Sequence, residues 1–300
     1  MYRDYNYLNT DNEFQKVKDF LRGLEAYKNH DNNWDPSRFD WWRYSYHYNK
    51  DQHFFEKSTH YWTHDDEVVA LAISEYGEKD IFILVHPDHH DLYDSVIDWV
   101  IDVFGKGKEE IISPVFLIDP YKVAKLEERG FVKGRHENNV RTYDLTSYDF
   151  EYELDASFRL LNFSDYLDYK SKSRLICSAF SKKEHPVSRI ESFMKTPGYM
   201  ADLDLICINQ DNEAVAYCTG WLEQHNEKLG YIEPMGVHEA YRRRGLGKAL
   251  AKACFKRLRD KGVDFATIAS NAEPDVSNYL YDSLKPIGKK SGYEFVLKLT

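Results

Sequence analysis

One order of predicted elements runs through the 300 residues twice, and this constrains the fold more than any other feature. In the first pass, Phe14, Val17, Leu21 and Leu24 recur at helical spacing and predict a helix within 11–30. A second helix is predicted from Pro36 to Tyr48, followed by strands at 60–64, 68–74 and 81–85. A helix at 89–103, a strand at 111–117, a helix at 119–129 and a closing strand at 139–145 complete the pass. The second pass predicts helices near 164–180 and 187–195, strands at 203–209, 214–222 and 229–237, and a helix at 245–261. A strand at 263–269, a helix at 276–284 and a strand at 293–299 end it. Val85-His86-Pro87 stands opposite Val237-His238-Glu239 at an offset of 152, and Thr142–Leu145 stands opposite Val296–Leu299 at 154. Each half therefore reads as an α+β domain with a mainly antiparallel sheet, divided at 1–147 and 148–300. The join, 146–157, has neither Gly nor Pro, so a packed connection is expected rather than a tether.

Composition supports two packed cores, with 42% hydrophobic and 15% aromatic residues. No apolar run approaches the ~18–20 residues of a membrane span, and the opening MYRDYNYLNT lacks a signal-peptide pattern, so a cytoplasmic protein is expected. Cys177, Cys207, Cys218 and Cys254 form no C-x-x-C pair and read as reduced thiols in apolar segments. His86, His89 and His90 lack the spacing of a zinc site, so no metal is expected. The aromatic run from Trp34 to Trp62 reads as core packing ahead of a ligand pocket.

Charge is distributed unevenly. Residues 1–150 hold 29 Asp+Glu against 18 Lys+Arg, and residues 151–300 hold 21 against 22. The acidic first half argues against a long polyanion such as nucleic acid as partner. The second half concentrates positive charge: Arg242, Arg243, Arg244, Lys248, Lys252, Lys256, Arg257, Arg259 and Lys261 face only Asp260 between 241 and 261. That run predicts a small anionic ligand.

The segment 229–250, LGYIEPMGVHEAYRRRGLGKAL, gives the anion a place. An apolar strand passes through Pro234-Met235-Gly236 into a basic turn carrying Gly245 and Gly247, and then into a helix. A helix start offers unpaired N–H groups and a positive dipole end, and glycine lets a phosphate approach the backbone. The P-loop pattern fails, since it needs Gly at Arg242 and Ser or Thr at Ala249; a dinucleotide fingerprint fails at Leu250.

The run Arg242-Arg243-Arg244-Gly245-Leu246-Gly247 resembles the R/Q-x-x-G-x-G/A signature of the GNAT N-acetyltransferase superfamily, and the strand–turn–helix–strand–helix order around it is similar too. The resemblance implies two tandem GNAT-like domains, each a mixed, mainly antiparallel twisted sheet flanked by helices. It implies acetyl-coenzyme A as co-substrate, its pyrophosphate at Arg242, Arg243, Arg244, Gly245, Leu246, Gly247 and Lys248. The pantetheine arm would lie along Met235, Gly236 and Val237, with Asn271 touching it. Tyr281 matches the tyrosine that protonates the departing thiolate, with Tyr279 as the competing acid. A phenol of pKa ~10 is a suitable donor to a thiolate of pKa ~8.5. Glu233 is the candidate base, with a local salt bridge as its plainer reading. The implied reaction is direct attack by a primary amine of a small molecule or peptide. A non-catalytic acyl-coenzyme A sensor and a tRNA-dependent aminoacyl transferase stand as alternatives.

The first half has His90-Asp91-Leu92-Tyr93-Asp94-Ser95 where the second has its arginine-glycine turn. Acids replace bases there, so pyrophosphate would be repelled and the half reads as a degenerate copy. The whole is similar to tandem GNAT proteins of the mycothiol synthase type, as a monomer or homodimer.

Overall fold

The computed structural model describes residues 1–27, 30–43, 53–223, 226–273 and 276–299. The chain divides into two compact units, Met1–Asn138 with Lys290–Thr300, and Asn139–Lys289.

The first unit opens with β1 (Tyr2–Asn6) and α1 (Asp11–Leu24). Thr10 and Glu13 start α1 as a reciprocal capping box. After α2 (Pro36–Trp41) and α3 (Phe54–Ser58) come β2 (Thr59–His64), β3 (Glu67–Ile73) and β4 (Phe82–Val85). The predicted helix to Tyr48 is described as far as Trp41; residues 44–48 lie outside the described residues. Strands β1 to β4 form an antiparallel sheet in chain order. β3 is buried on both faces: Leu71 and Ile73 face one core, Ala70 and Ala72 the other. Trp34, Phe39 and Trp42 are fully buried in the first of these, as core packing requires.

Next are a short 3-10 turn, α4 (Tyr93–Trp99), β5 (Glu110–Phe116), α5 (Pro120–Glu128) and β6 (Val132–Asp144). The second unit adds β7 (Arg159–Asn162), α6 (Tyr169–Ala179), α7 (Val187–Phe193), β8 (Asp204–Ile208), β9 (Ala214–Leu222) and β10 (Leu229–Val237). It continues through α8 (Leu246–Asp260), β11 (Phe265–Asn271) and α9 (Ser277–Ser283) to β12 (Gly288–Lys298). Here β7 to β10 are consecutive antiparallel neighbours, and β11 joins β10 in parallel. The architecture is α+β with mixed, mainly antiparallel sheets flanked by helices. Among the described residues, no helix is long and apolar enough to cross a membrane.

The compact units do not follow a division at 147/148. Gly292–Lys298 of β12 pairs antiparallel with Glu110–Phe116 of β5, and Phe295 is buried in the first unit's core, so the last residues of the chain belong to the first unit. Backbone pairing over seven residues outweighs chain proximity.

Candidate active site

The site region is built where β10 leaves its neighbours. Leu229, Gly230 and Tyr231 pair with Phe265, Ala266 and Thr267 of β11, and the parallel ladder then stops. On the other side, Ile232 faces Gly220 and Met235 faces Cys218, so Glu233 and Pro234 together oppose one residue and form a bulge. Pro234, after a cis peptide bond, has no N–H for a ladder. The outcome is a strand whose second half, through Met235, Gly236 and Val237, diverges from β11. Gly236 is needed for a close approach: a Cβ there would lie 2.9 Å from both Ala179 Cβ and Tyr217 Cε1.

The turn into α8 is strained and basic. Arg243 has φ +62° and Gly245, the N-cap of α8, has φ +81°. A Cβ at Gly245 would meet nothing within 4 Å, so conformation rather than space calls for glycine there. No side chain caps the helix, which leaves the first-turn N–H groups of Leu246, Gly247 and Lys248 directed out of a 15-residue helix. Gly247 has a different task, since a Cβ there would lie 2.8 Å from Leu280 Cδ2 of α9. Arg242 ties the turn to α6, its Nη2 donating to the Ala179 carbonyl at 3.1 Å and its Nε to the Val237 carbonyl at 3.4 Å. The Arg244 guanidinium lies 5.3 Å from the Tyr241 ring centre.

The long basic run is thereby sorted into two parts. Lys252 pairs with Asp149 at 2.9 Å, Lys256 with Asp260 at 3.0 Å and Lys261 with Asp202 at 2.6 Å, while Arg259 pairs with Asp264. Arg242, Arg243, Arg244 and Lys248, all exposed, crowd the helix start. These donors fit a pyrophosphate.

Tyr281 of α9 is buried in the same apolar cluster as Leu246, and Met235, Val237 and Leu280 pack against that cluster. Tyr279 is 82% exposed. Asn271 ends β11, its carbonyl accepting from Asn278 Nδ2 at 2.8 Å. Glu233 is exposed on β10, and its carbonyl accepts from Trp221 Nε1 at 2.5 Å. Burial, followed by the neighbouring Cys254 thiol, pushes the Cys218 thiol well up, and burial pushes Cys207 up to about 12, so neither is a thiolate near neutral pH.

Residues 170–279 match the model of the acetyltransferase (GNAT) family. Within those residues, which lie in the second unit, the chain carries a GNAT domain. A GCN5-related N-acetyltransferase from Sphaerobacter thermophilus is similar over 99% of this chain and 95% of its own, with a TM-score of 0.69 and 15% identity. A tandem GNAT protein from the clavulanic acid biosynthesis pathway, solved without acetyl-coenzyme A, is similar over 99% of this chain and 98% of its own, at 0.71 and 13%. An acetyltransferase from Colwellia psychrerythraea gives 0.62 and 8%, covering 98% and 99%. These likenesses, at such identities, are of fold. No curated protein matches the chain.

One buried residue of the second unit carries no motif that marks it in the sequence. Arg141 on β6 is fully buried. Its Nε donates to Asp282 at 2.5 Å, its Nη1 to Ser270 at 3.0 Å and its Nη2 to Asn278 at 2.7 Å, and its guanidinium lies 5.9 Å from the Tyr281 ring centre. Those bonds fasten α9, which lacks a side-chain cap, to the end of β11. The signal was a lone arginine on the inward parity of a strand, since Asn139, Tyr143 and Leu145 are also buried.

Proposed function

We propose that the second unit binds acetyl-coenzyme A and transfers its acetyl group to a primary amine of a small molecule or peptide by direct attack. The opening of β10 from β11, directly before an uncapped and arginine-flanked helix start, carries this reading. Met235, Gly236, Val237 and Asn271 would hold the pantetheine arm, and Arg242 to Lys248 the pyrophosphate. Bound there, the co-substrate supplies an activated thioester carbonyl. Glu233 takes the proton that an acceptor ammonium must lose before its nitrogen lone pair can attack. Tyr281 gives a proton to the sulfur that leaves. Its burial in the apolar cluster that Met235 and Val237 pack against favours it over the outward Tyr279.

In the same reading the first unit is a degenerate copy that holds no coenzyme. The turn after β4 and the start of α4 carry Asp88, Asp91 and Asp94 and no glycine.

Thiol release from acetyl-coenzyme A tests the reaction. Tyr281→Phe should lower kcat by about 10²–10⁴-fold with little change in KM for acetyl-coenzyme A. Wild-type protein that binds acetyl-coenzyme A yet releases no thiol with any amine would support the sensor instead.

A further inference from the structure

Four aromatic side chains of the second unit gather beside Glu233 and belong to neither of that unit's two apolar cores. Trp221 and Tyr231 are cross-strand partners on β9 and β10, their rings stacked at 6.1 Å and 9°. Phe193, at the end of α7, sets its edge on Trp221 at 5.3 Å and 87°, and Tyr199 lies 6.4 Å from Trp221 at 70°. Trp221 is buried, whereas Phe193, Tyr199 and Tyr231 are half-exposed. A buried indole walled by half-exposed rings, outside any core, is a surface prepared for another apolar group.

The charges around this wall narrow what it would take. Trp221 Nε1 donates to the Glu233 backbone carbonyl, which sets Glu233, an exposed residue, beside the wall. The carboxylate behind the wall is consumed: Asp204 accepts from the Tyr199 hydroxyl at 2.9 Å and pairs with buried Lys172 at 2.7 Å. The flanking segment 180–196 carries Lys182, Lys183, Arg189 and Lys195 against Glu184 and Glu191. One positive charge is therefore welcome, between a carboxylate and π faces. Several are not.

We infer that the acceptor is a singly charged primary amine on a flat aromatic body, selected by Phe193, Tyr199, Trp221 and Tyr231. The inference rests on the acetyl transfer proposed above, with Glu233 as the base.

Calorimetric titration of amines into the full chain saturated with coenzyme A reads the selection without turnover. 2-Phenylethylamine should bind about tenfold more tightly than butylamine or spermidine. Phe193→Ala should remove most of that preference while leaving butylamine within about twofold, with Tyr231→Ala as a second variant should the first fail to fold. Spermidine binding as well as 2-phenylethylamine, or Phe193→Ala weakening both monoamines equally, overturns the inference. So does failure of every amine to bind. Failure of the transfer reading is separate: it shows as no thiol release even for an amine that binds.

Discussion

The two units contain the same local device and finish it differently. In each, a short parallel contact joins two strands that then diverge: Asp80 bridges Ile112 in the first unit, and Leu229–Tyr231 pairs with Phe265–Thr267 in the second. In the first unit the freed edge is occupied by its own chain. Ile112 bonds toward β4 through both its N–H and its carbonyl, so Pro114 and Phe116 turn backbone groups to that same edge. Asn33 Nδ2 donates to the Pro114 carbonyl at 2.5 Å, the Phe116 N–H donates to Asp31 at 3.2 Å, and the Trp34 ring packs 5.0 Å from that of Phe82 on β4. Lys122 closes the arrangement with a fully buried 2.6 Å bond to Asp31.

Electrostatics follow the same division. Burial alone would raise Asp119, the cap of α5, but hydrogen bonds from His30 and the Lys122 N–H and the charge of Lys122 bring it down to about 2. Burial pushes the Asp31 carboxyl up against the opposing pull of Lys122. At this edge the first unit pairs Lys122 with Asp31 and His30 with Asp119, where the second presents an uncapped helix and exposed arginines. A shared strand opening is not in itself a ligand site; what fills its edge decides.

The largest effect expected from breaking this contrast is at Gly245. Gly245→Glu puts a carboxylate at the helix start and a side chain at φ +81°, and should weaken acetyl-coenzyme A binding at least about 100-fold by calorimetry. Undiminished affinity would remove the turn from the account. In the first unit, Lys122→Met leaves Asp31 buried without its cation and should cost about 3–5 kcal/mol of stability. Hydrogen exchange should rise in 30–34 and 110–120 while acetyl-coenzyme A affinity stays constant; a gained second binding event would mean that the filled edge is a closed site. The smallest effect concerns His185 in the second unit, which burial, followed by the charges of Lys182, Arg189 and Lys172, brings down to about 4. The unfolded chain binds this proton first, so the contribution is complete above the ordinary value of ~6.5 and is lost as pH falls through 4. His185→Gln should flatten the decline of Tm between those limits, and an unchanged slope would exclude His185 as its source.

Much of this contrast was legible in residue order. The central strands β3, β4, β8 and β9 were visible because their apolar runs are buried on two faces, and α8 because its basic turn and glycines precede a helical period. β1 was missed because YRDYN is a polar edge strand, and the start of β6 because VKGRHEN offers no alternation of apolar residues. The membership of β12 depends on a partner nearly two hundred residues away, which no local pattern encodes. In the site region, the turn was legible and Arg141 was not, since a buried charge is defined by what surrounds it. Asp31 and Asn33 were hidden for the same reason: HDNNWDP has the composition of a surface loop, yet Asp31 is fully buried.

The difference between the units reduces to a number that one titration reads. Acetyl-coenzyme A titrated calorimetrically into the full chain should saturate at one molecule per chain, with the single site abolished in Gly245→Glu. Two equivalent sites, or one site that survives Gly245→Glu, would contradict the account.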